Sequence, residues 1–278
     1  MREIQIDEVR EQVTALLREA AYRLPEDYLA AMRNAHSVET SATGQQVIEL
    51  LLDNAAYAEG ERIPTCQDTG MALLYVDVGQ EVHFTGGEIA QALQDAVRAA
   101  YTDLRKSVVD DPLLRRNTGD NTPAMIHWQI VPGDRVRITA LQKGFGAELM
   151  SRLGMLPPSA GRAGAVDFVL ETVTQAGPNA CPPLIVGVGL GGSFDSVGGL
   201  AKKALMRPIG SVNPAPHLAQ LEADLLAHIN ATGIGPQGFG GTVTALAVHV
   251  EAYATHIAAL PVAVNLNCSA PRRAVVEI

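Results

Sequence analysis

The chain has 278 residues, of which 47% are hydrophobic and 18% are charged, a composition typical of a globular protein with a buried core. Its 21 Lys and Arg against 30 Asp and Glu give a net charge of −9. Because it has no basic run, we expect no nucleic-acid partner. No apolar segment reaches the roughly 18 residues of a membrane span, and the first residues lack the apolar stretch of a signal peptide. The sequence predicts a soluble, cytoplasmic protein.

Apolar periodicity predicts several elements in the first half of the chain. Residues 7–24 and 44–58 repeat apolar side chains at helical spacing. The short valine-bearing run 71–78 predicts a strand. Thr85 and Glu88 have the spacing of a capping box, which predicts that a helix begins there and continues to about 101. Two runs, 125–131 and 135–141, flank a Pro-Gly-Asp turn and predict an antiparallel hairpin.

The second half of the chain alternates helical and strand patterns. The sequence predicts strands at 184–190, 243–250 and 262–266, and helices at 162–175, 193–205 and 217–229. It has no internal repeat and no obvious linker. We therefore expect the α+β class, with mixed and antiparallel β-sheets surrounded by helices, in one domain that covers 1–278.

The three cysteines, Cys66, Cys181 and Cys268, each end an apolar run and lie in polar or proline-bearing loops. Their odd number and the absence of a C-x-x-C pair are not typical of a disulfide framework or a zinc finger. Three thiolates suit an iron–sulfur cluster with one open iron, or a zinc ion completed by a histidine. The alternative is three unrelated residues, because a single cysteine is most often a small core hydrophobe.

Three charged side chains are candidates for chemistry near these loops. Asp68, two positions after Cys66, is the first candidate for a catalytic carboxylate, although Asp also stabilises plain turns. Arg105 is a candidate clamp for a substrate carboxylate, and the alternative is a solvated helical arginine. His256 precedes Cys268 by twelve residues and is a candidate to face a cluster, or is merely hydrogen-bonded. The polar loop 117–123 (NTGDNTP) carries more hydrogen-bonding side chains than a spacer needs.

Residues 187–192 (GVGLGG) match the dinucleotide-binding fingerprint between a predicted strand and a predicted helix. Two acidic residues further along the chain, Glu222 and Asp224, fall inside a predicted helix instead of after a second strand. We therefore favour close packing of strand on helix, or an anion at the helix N-terminus. A nucleotide-binding oxidoreductase stays an alternative.

Four segments resemble the α subunit of the class I, iron–sulfur fumarate hydratase and tartrate dehydratase family. They are 64–70 (PTCQDTG), 117–121 (NTGDN), 179–183 (NACPP) and 268–270 (CSA), and the similarity covers nearly the whole chain. The resemblance implies that Cys66, Cys181 and Cys268 bind a [4Fe–4S] cluster whose fourth iron holds the substrate. It also implies that the substrate pocket is lined by Gln67, Asp68, Arg105, the Gly144 backbone and His256. Two of these residues, Asp68 and His256, would have catalytic roles.

The resemblance implies a hydro-lyase that acts on a small dicarboxylate. Segments 238–242 (GFGGT), 255–258 (THIA) and 260–262 (LPV) look more like fumarases, which implies reversible hydration of fumarate to (S)-malate; dehydration of L(+)-tartrate to oxaloacetate is the alternative. Single-chain members continue into a C-terminal domain, and this sequence stops at Ile278. We therefore expect a separate β subunit in an α2β2 heterotetramer. A cluster-bearing assembly or sensor protein is a further alternative.

Overall fold

The structure is a computed structural model that describes residues 1–278. Its α-helices are α1 (Ile6–Tyr22), α2 (Glu26–Val38), α3 (Ala42–Glu61), α4 (Ile89–Ala100), α5 (Phe145–Glu148), α6 (Gly161–Ala176), α7 (Phe194–Ala204) and α8 (Pro216–Asn230). Its strands are β1 (Arg2–Gln5), β2 (Met71–Gly79), β3 (Val82–Thr85), β4 (Met125–Val131), β5 (Val136–Lys143), β6 (Arg152–Leu156), β7 (Leu184–Gly192), β8 (Ala245–Thr255), β9 (Leu260–Asn267) and β10 (Arg272–Glu277). The predicted fold class, helices with mixed and antiparallel sheets, is confirmed.

The chain is organised as two compact units built from separate stretches of sequence. Unit 1 comprises Met1–Pro25, Ala55–Phe145 and Pro271–Ile278, and unit 2 comprises Glu26–Asn54 and Gly146–Ala270. Because neither unit is continuous, no single cut in the sequence separates them. The assignment of 1–278 to one cluster-binding domain stays a prediction. None of the helices combines the length and the apolar character that crossing a membrane would need.

The main sheet of unit 1 has the strand order β10-β5-β2-β4. Strand β2 is central, antiparallel to β5 and parallel to β4. The predicted hairpin of β4 with β5 is therefore wrong, since β2 lies between the two strands. The turn between them instead accepts a hydrogen bond from Glu81 N–H to the Gly133 carbonyl at 2.9 Å. Strand pairing depends on distant segments, so a local turn signal was misleading here.

Helices α1 and α4 bury their apolar stripes in the core of unit 1. Val13 and Leu17 of α1 and Leu93 and Val97 of α4 are all fully buried in one cluster with β2 and β5. The predicted helix at 85–101 exists, but it begins at Ile89 and no side chain caps its first turn. The predicted capping box is wrong because Thr85 is the last residue of β3, where it pairs with Gln5 of β1.

The sheet of unit 2 has the order β6-β9-β7-β8, with β7 parallel to β8 and antiparallel to β9. On one face, Val186 and Val188 pack with α6 and α8 in the second core cluster. On the other face, the glycines of β7 allow α7 to approach closely: a Cβ at Gly187 would lie 2.2 Å from the Ala201 carbonyl oxygen, and one at Gly189 would lie 2.3 Å from that of Val197. These glycines are thus required for strand–helix packing.

Glu39, just after α2, is a buried carboxylate that holds the start of α3 and the loop before β8. Only 2% of its surface is exposed. It accepts hydrogen bonds from the amides of Ser41, Thr242 and Val243 at 2.8 to 2.9 Å. Burial alone would raise its pKa, but these amides and the Thr242 hydroxyl hold the pKa below its usual value. The ionised carboxylate is therefore the form that stabilises unit 2.

We predict that Glu39→Gln lowers the free energy of unfolding by about 1 to 3 kcal/mol at neutral pH, because one carboxylate oxygen that accepts buried amides is lost. Since the folded pKa of Glu39 is depressed, its contribution is present above its unfolded pKa and disappears as the pH falls through the folded pKa. Urea unfolding of both proteins across this range measures the effect. Glu49→Gln, an exposed change on α3, is the control, and an equal loss in both variants would contradict the prediction.

Candidate functional site

The Asp68 loop of unit 1 runs between α3 and β2 and is held by its own carboxylate. Asp68 accepts the Gly70 N–H at 2.9 Å with one oxygen and the Phe145 N–H at 2.8 Å with the other. Its main-chain carbonyl accepts a hydrogen bond from the Arg272 guanidinium. A Cβ at Gly144 would lie 3.2 Å from the Asp68 carboxylate and 3.3 Å from Arg272 Nη2. Asp68, Gly144 and Arg272 therefore form one tightly packed group.

Two buried cations accompany Asp68, and sequence reasoning missed both. Lys143 and Arg272 are 0% and 1% exposed. Lys143 Nζ donates to the Gly144 carbonyl at 3.1 Å, and Arg272 Nε is buried without a hydrogen-bond partner. Charged side chains are rarely buried unless they are paired. The one sequence signal for Arg272 was its position four residues after Cys268, and Lys143 had none.

The polar loop 117–123 anchors the Asp68 loop. Asn121 is fully buried; its amide donates to the Gly70 carbonyl at 3.1 Å and its oxygen accepts the Ser107 N–H at 2.7 Å. The Thr69 hydroxyl donates to the main-chain carbonyl of Arg105 at 2.5 Å. The Arg105 backbone is thus tied to the loop while its side chain is exposed.

Buried Tyr101 also bonds this loop, with its hydroxyl donating to the Thr69 carbonyl at 2.9 Å. Burial raises the pKa of this hydroxyl, so it stays a donor at any ordinary pH. Cys66 and Gln67 precede Asp68, with the Cys66 thiol half-buried, the Gln67 side chain exposed, and Sγ to Oε1 at 4.0 Å. Unit 1 therefore contains the predicted residues Cys66, Gln67, Asp68, Arg105 and Gly144.

Unit 2 brings the other two cysteines onto adjacent backbone segments. The Ser269 N–H, next to Cys268, donates to the Cys181 carbonyl at 3.0 Å. Cys181 has a left-handed backbone with φ of 54° and an exposed side chain, and Cys268 is half-buried. The hydroxyl of buried Tyr28 donates to the Ser269 carbonyl at 2.6 Å. Burial raises the pKa of that hydroxyl, so it stays a hydrogen-bond donor at any ordinary pH.

His256 lies in unit 2, in the turn between β8 and β9. Its ring Nδ1 accepts the Ala258 N–H at 3.2 Å, which assigns the proton of the neutral ring to Nε2. The side chain is exposed and lines a cavity of about 540 Å³ with Ser193, Ser196 and Thr255. No group of three or more His, Cys, Asp or Glu side chains is arranged to hold a metal ion. The convergence of all three cysteines, and of His256 with Asp68, stays a prediction.

The fingerprint at 187–192 is accounted for by packing. Glu222 of α8 accepts hydrogen bonds from Arg207, Asn213 and the Val250 N–H. The segment after α7 leads into α8 and not into a second strand. With the glycine contacts to α7 already described, this supports the close-packing interpretation over a nucleotide site.

The comparisons with known proteins agree with one family. The profile of the family described as "Fumarate hydratase (Fumerase)" matches residues 10–277. The chain belongs to the fumarate hydratase family. Membership of this family identifies the protein as a hydro-lyase. The names of two similar proteins agree with this assignment. "Putative L(+)-tartrate dehydratase subunit alpha" of Methanocaldococcus jannaschii is 39% identical over 97% of both proteins. "L(+)-tartrate dehydratase subunit alpha" of Escherichia coli strain UTI89 is 37% identical over 92% of this protein and 86% of its own length.

The chemistry of this family member's thiols fits an iron–sulfur group, the cofactor for which the family is known. None of the three cysteines is fully buried, which is unlike the small core hydrophobe that a single cysteine usually is. Asn267, beside Cys268, is 2% exposed, and its buried side-chain nitrogen has no hydrogen-bond partner. Amide donors near thiolates are typical of such groups. The two cysteines of unit 2 and their surroundings therefore fit the expected ligands.

We predict that Gly70→Ala destabilises the Asp68 loop. Gly70 has φ of +75°, and an added Cβ would lie 2.8 Å from both atoms of the Lys143 carbonyl group. The positive φ alone costs about 1 kcal/mol or more, and the clash adds to it. Thermal unfolding should therefore show a larger loss than Gly119→Ala, whose φ is +80° with no atom within 4 Å. Equal losses of thermal stability in the two variants would contradict a destabilising contact with the Lys143 carbonyl.

Proposed function

We propose that this protein is the α subunit of a hydro-lyase that adds water to, or removes it from, a four-carbon dicarboxylate. The observation that carries the proposal is the pairing of the Cys181 and Cys268 segments, in a protein that belongs to this family. The Asp68 loop, with its buried cations, supports it from unit 1.

Cys66, Cys181 and Cys268 would hold a [4Fe–4S] cluster. When bound, a cluster with one open iron supplies a Lewis acid for a substrate hydroxyl and carboxylate. The thiols are suited to this by their partial exposure and by the anchoring of the residues beside them: Thr65 N–H donates to the Ala21 carbonyl at 3.1 Å, and Ser269 is bonded to Cys181 and Tyr28.

The remaining predicted residues would bind and orient the dicarboxylate. Exposed Arg105 and Gln67 can reach carboxylate oxygens, and guanidinium binds carboxylate in a bidentate fashion. Asp68 is fixed by two amides, so it can orient a proton-carrying group without changing its own position. The Arg272 guanidinium, which donates to the Asp68 carbonyl, adds positive charge beside this loop, and positive charge favours an anionic substrate. His256, with its proton on Nε2, is a candidate donor to an anionic oxygen.

Two substrates stand as candidates. Hydration of fumarate to (S)-malate is favoured by the resemblance of segments 238–242, 255–258 and 260–262 to fumarases. Dehydration of L(+)-tartrate to oxaloacetate is favoured by the names of the similar relatives. Those relatives are named alpha subunits, which supports a separate β subunit; we propose an α2β2 heterotetramer whose β subunit provides the base that Asp68 orients.

The test is an assay of the protein after co-expression with its β subunit and purification without oxygen. Fumarate, L(+)-tartrate and mesaconate are compared by kcat/KM. Preferred turnover of fumarate supports the first candidate and preferred turnover of tartrate the second. A protein that carries iron and sulfide but turns over none of the three would overturn the hydro-lyase proposal and favour a cluster-assembly or sensor role.

We predict that Cys181→Ser lowers the bound iron and sulfide and lowers turnover by at least 100-fold, since a ligand to the cluster is lost. Iron and sulfide analysis and visible absorbance measure the first effect, and the substrate assay measures the second. Ser37→Ala, a change at an exposed position of α2, is the control for handling losses. Full cluster content and full activity in the Cys181→Ser protein would contradict the assignment of Cys181 as a cluster ligand.

A further inference from the structure

Gln237 connects the two cysteine-bearing segments of unit 2. Its main-chain N–H donates to the Pro182 carbonyl at 2.8 Å. Its side-chain Nε2 donates to the same carbonyl at 2.7 Å and to the Ser269 hydroxyl at 3.0 Å. Pro182 follows Cys181 and Ser269 follows Cys268. One amide group thus bonds the residue after each thiol.

The loop that carries Gln237 is built for close approach to these segments. Gln237 has a left-handed backbone with φ of 50°, which is uncommon for a residue with a side chain. A Cβ at Gly238 would lie 2.3 Å from the Cβ of Pro178, three residues before Cys181. Glu39 holds the far end of the loop through Thr242 and Val243. The strained residue therefore persists because both sides of its loop are fixed.

Ser269 completes the connection, because each of its polar groups has a different partner. Its N–H donates to Cys181, its carbonyl accepts from Tyr28, and its hydroxyl accepts from Gln237. Ser269 is 8% exposed, so these bonds are shielded from water. The backbone beside Cys268 is thus fixed relative to the backbone of Cys181.

We propose that Gln237 is a positioning residue that holds Cys181 and Cys268 as a preorganised dithiol, competent to bind a thiophilic metal ion before any cluster is assembled. The proposal rests on the proposed function only in assigning these thiols to the cluster. Its chemistry is a simple exchange: one divalent ion forms two metal–sulfur bonds, and both thiol protons go to the buffer, with no change in oxidation state.

Cd²⁺ is the probe, added to the full-length, reduced, cluster-free protein with the Cys66→Ser change, so that only the pair is present. We expect one tightly bound Cd²⁺ per protein molecule, measured by its thiolate charge-transfer absorbance and by calorimetry. Cys181→Ser or Cys268→Ser in this background should weaken binding at least 100-fold. Equal affinity in the protein that keeps both thiols and the protein that keeps one would overturn the proposal.

The role of Gln237 is tested by Gln237→Glu, which keeps the shape and removes the Nε2 donor. We expect affinity for Cd²⁺ to fall by about 10- to 100-fold, the usual effect of losing a residue that orients metal ligands. Ser269→Ala removes only the hydroxyl acceptor, so its loss should be smaller. Gln46→Glu, an exposed change on α3, is the matched control.

The melting temperature separates positioning from folding. If Gln237→Glu lowers the melting temperature, the Ser269→Ala variant decides between the two explanations. Weaker Cd²⁺ binding by Ser269→Ala at an unchanged melting temperature supports the positioning role. Unchanged Cd²⁺ affinity in both variants overturns that role. Turnover by the co-expressed pair is measured separately. A complex without hydro-lyase activity whose dithiol still binds Cd²⁺ would refute the proposed function and leave this inference standing.

Discussion

The candidate site is made of loops packed into the protein, and the main-chain groups of such loops need hydrogen-bond partners. A buried N–H or carbonyl without one costs about 1 to 3 kcal/mol. In unit 1, Asn121, Tyr101 and Arg272 bond the backbone of the Asp68 loop. In unit 2, Glu39 and Gln237 do the same for the loops before β8 and after Cys181. The candidate residues in these loops thereby receive a fixed backbone without being buried themselves.

The same constraint explains where glycine is needed. Gly70 brings the Asp68 loop against the backbone of Lys143, and Gly238 brings the Gln237 loop against Pro178. A side chain at either position would separate two segments whose hydrogen bonds depend on contact. The glycines at 187 and 189 serve a different purpose, because they seat α7 on β7. A glycine-rich pattern can therefore indicate a ligand loop, a packed helix or a backbone contact, and only the neighbouring atoms distinguish them.

The sequence predicted what depends on local periodicity and missed what depends on distant partners. Helices α1, α4 and α6 were predicted because each repeats an apolar stripe. The β4–β5 hairpin was wrong because β2 takes the place between them, and the two units were hidden because their segments interleave without a linker. The cysteine loops stood out by composition. Lys143, Arg272 and Gln237 did not, since long polar side chains are usually solvated and only the tertiary structure reveals their burial or contacts.

The surroundings of the three thiols differ from those of a typical core cysteine. A core cysteine stabilises a fold because its own side chain is buried. Here the residues next to the thiols, Thr65, Pro182 and Ser269, are buried instead. The cysteines Cys66, Cys181 and Cys268 are not. Fixing the backbone before binding lowers the conformational entropy lost when a metal centre is bound. A Cys181–Cys268 pair held by Ser269 and Gln237 would then be the first part of the ligand set to be ready, because its order is supplied by unit 2 alone.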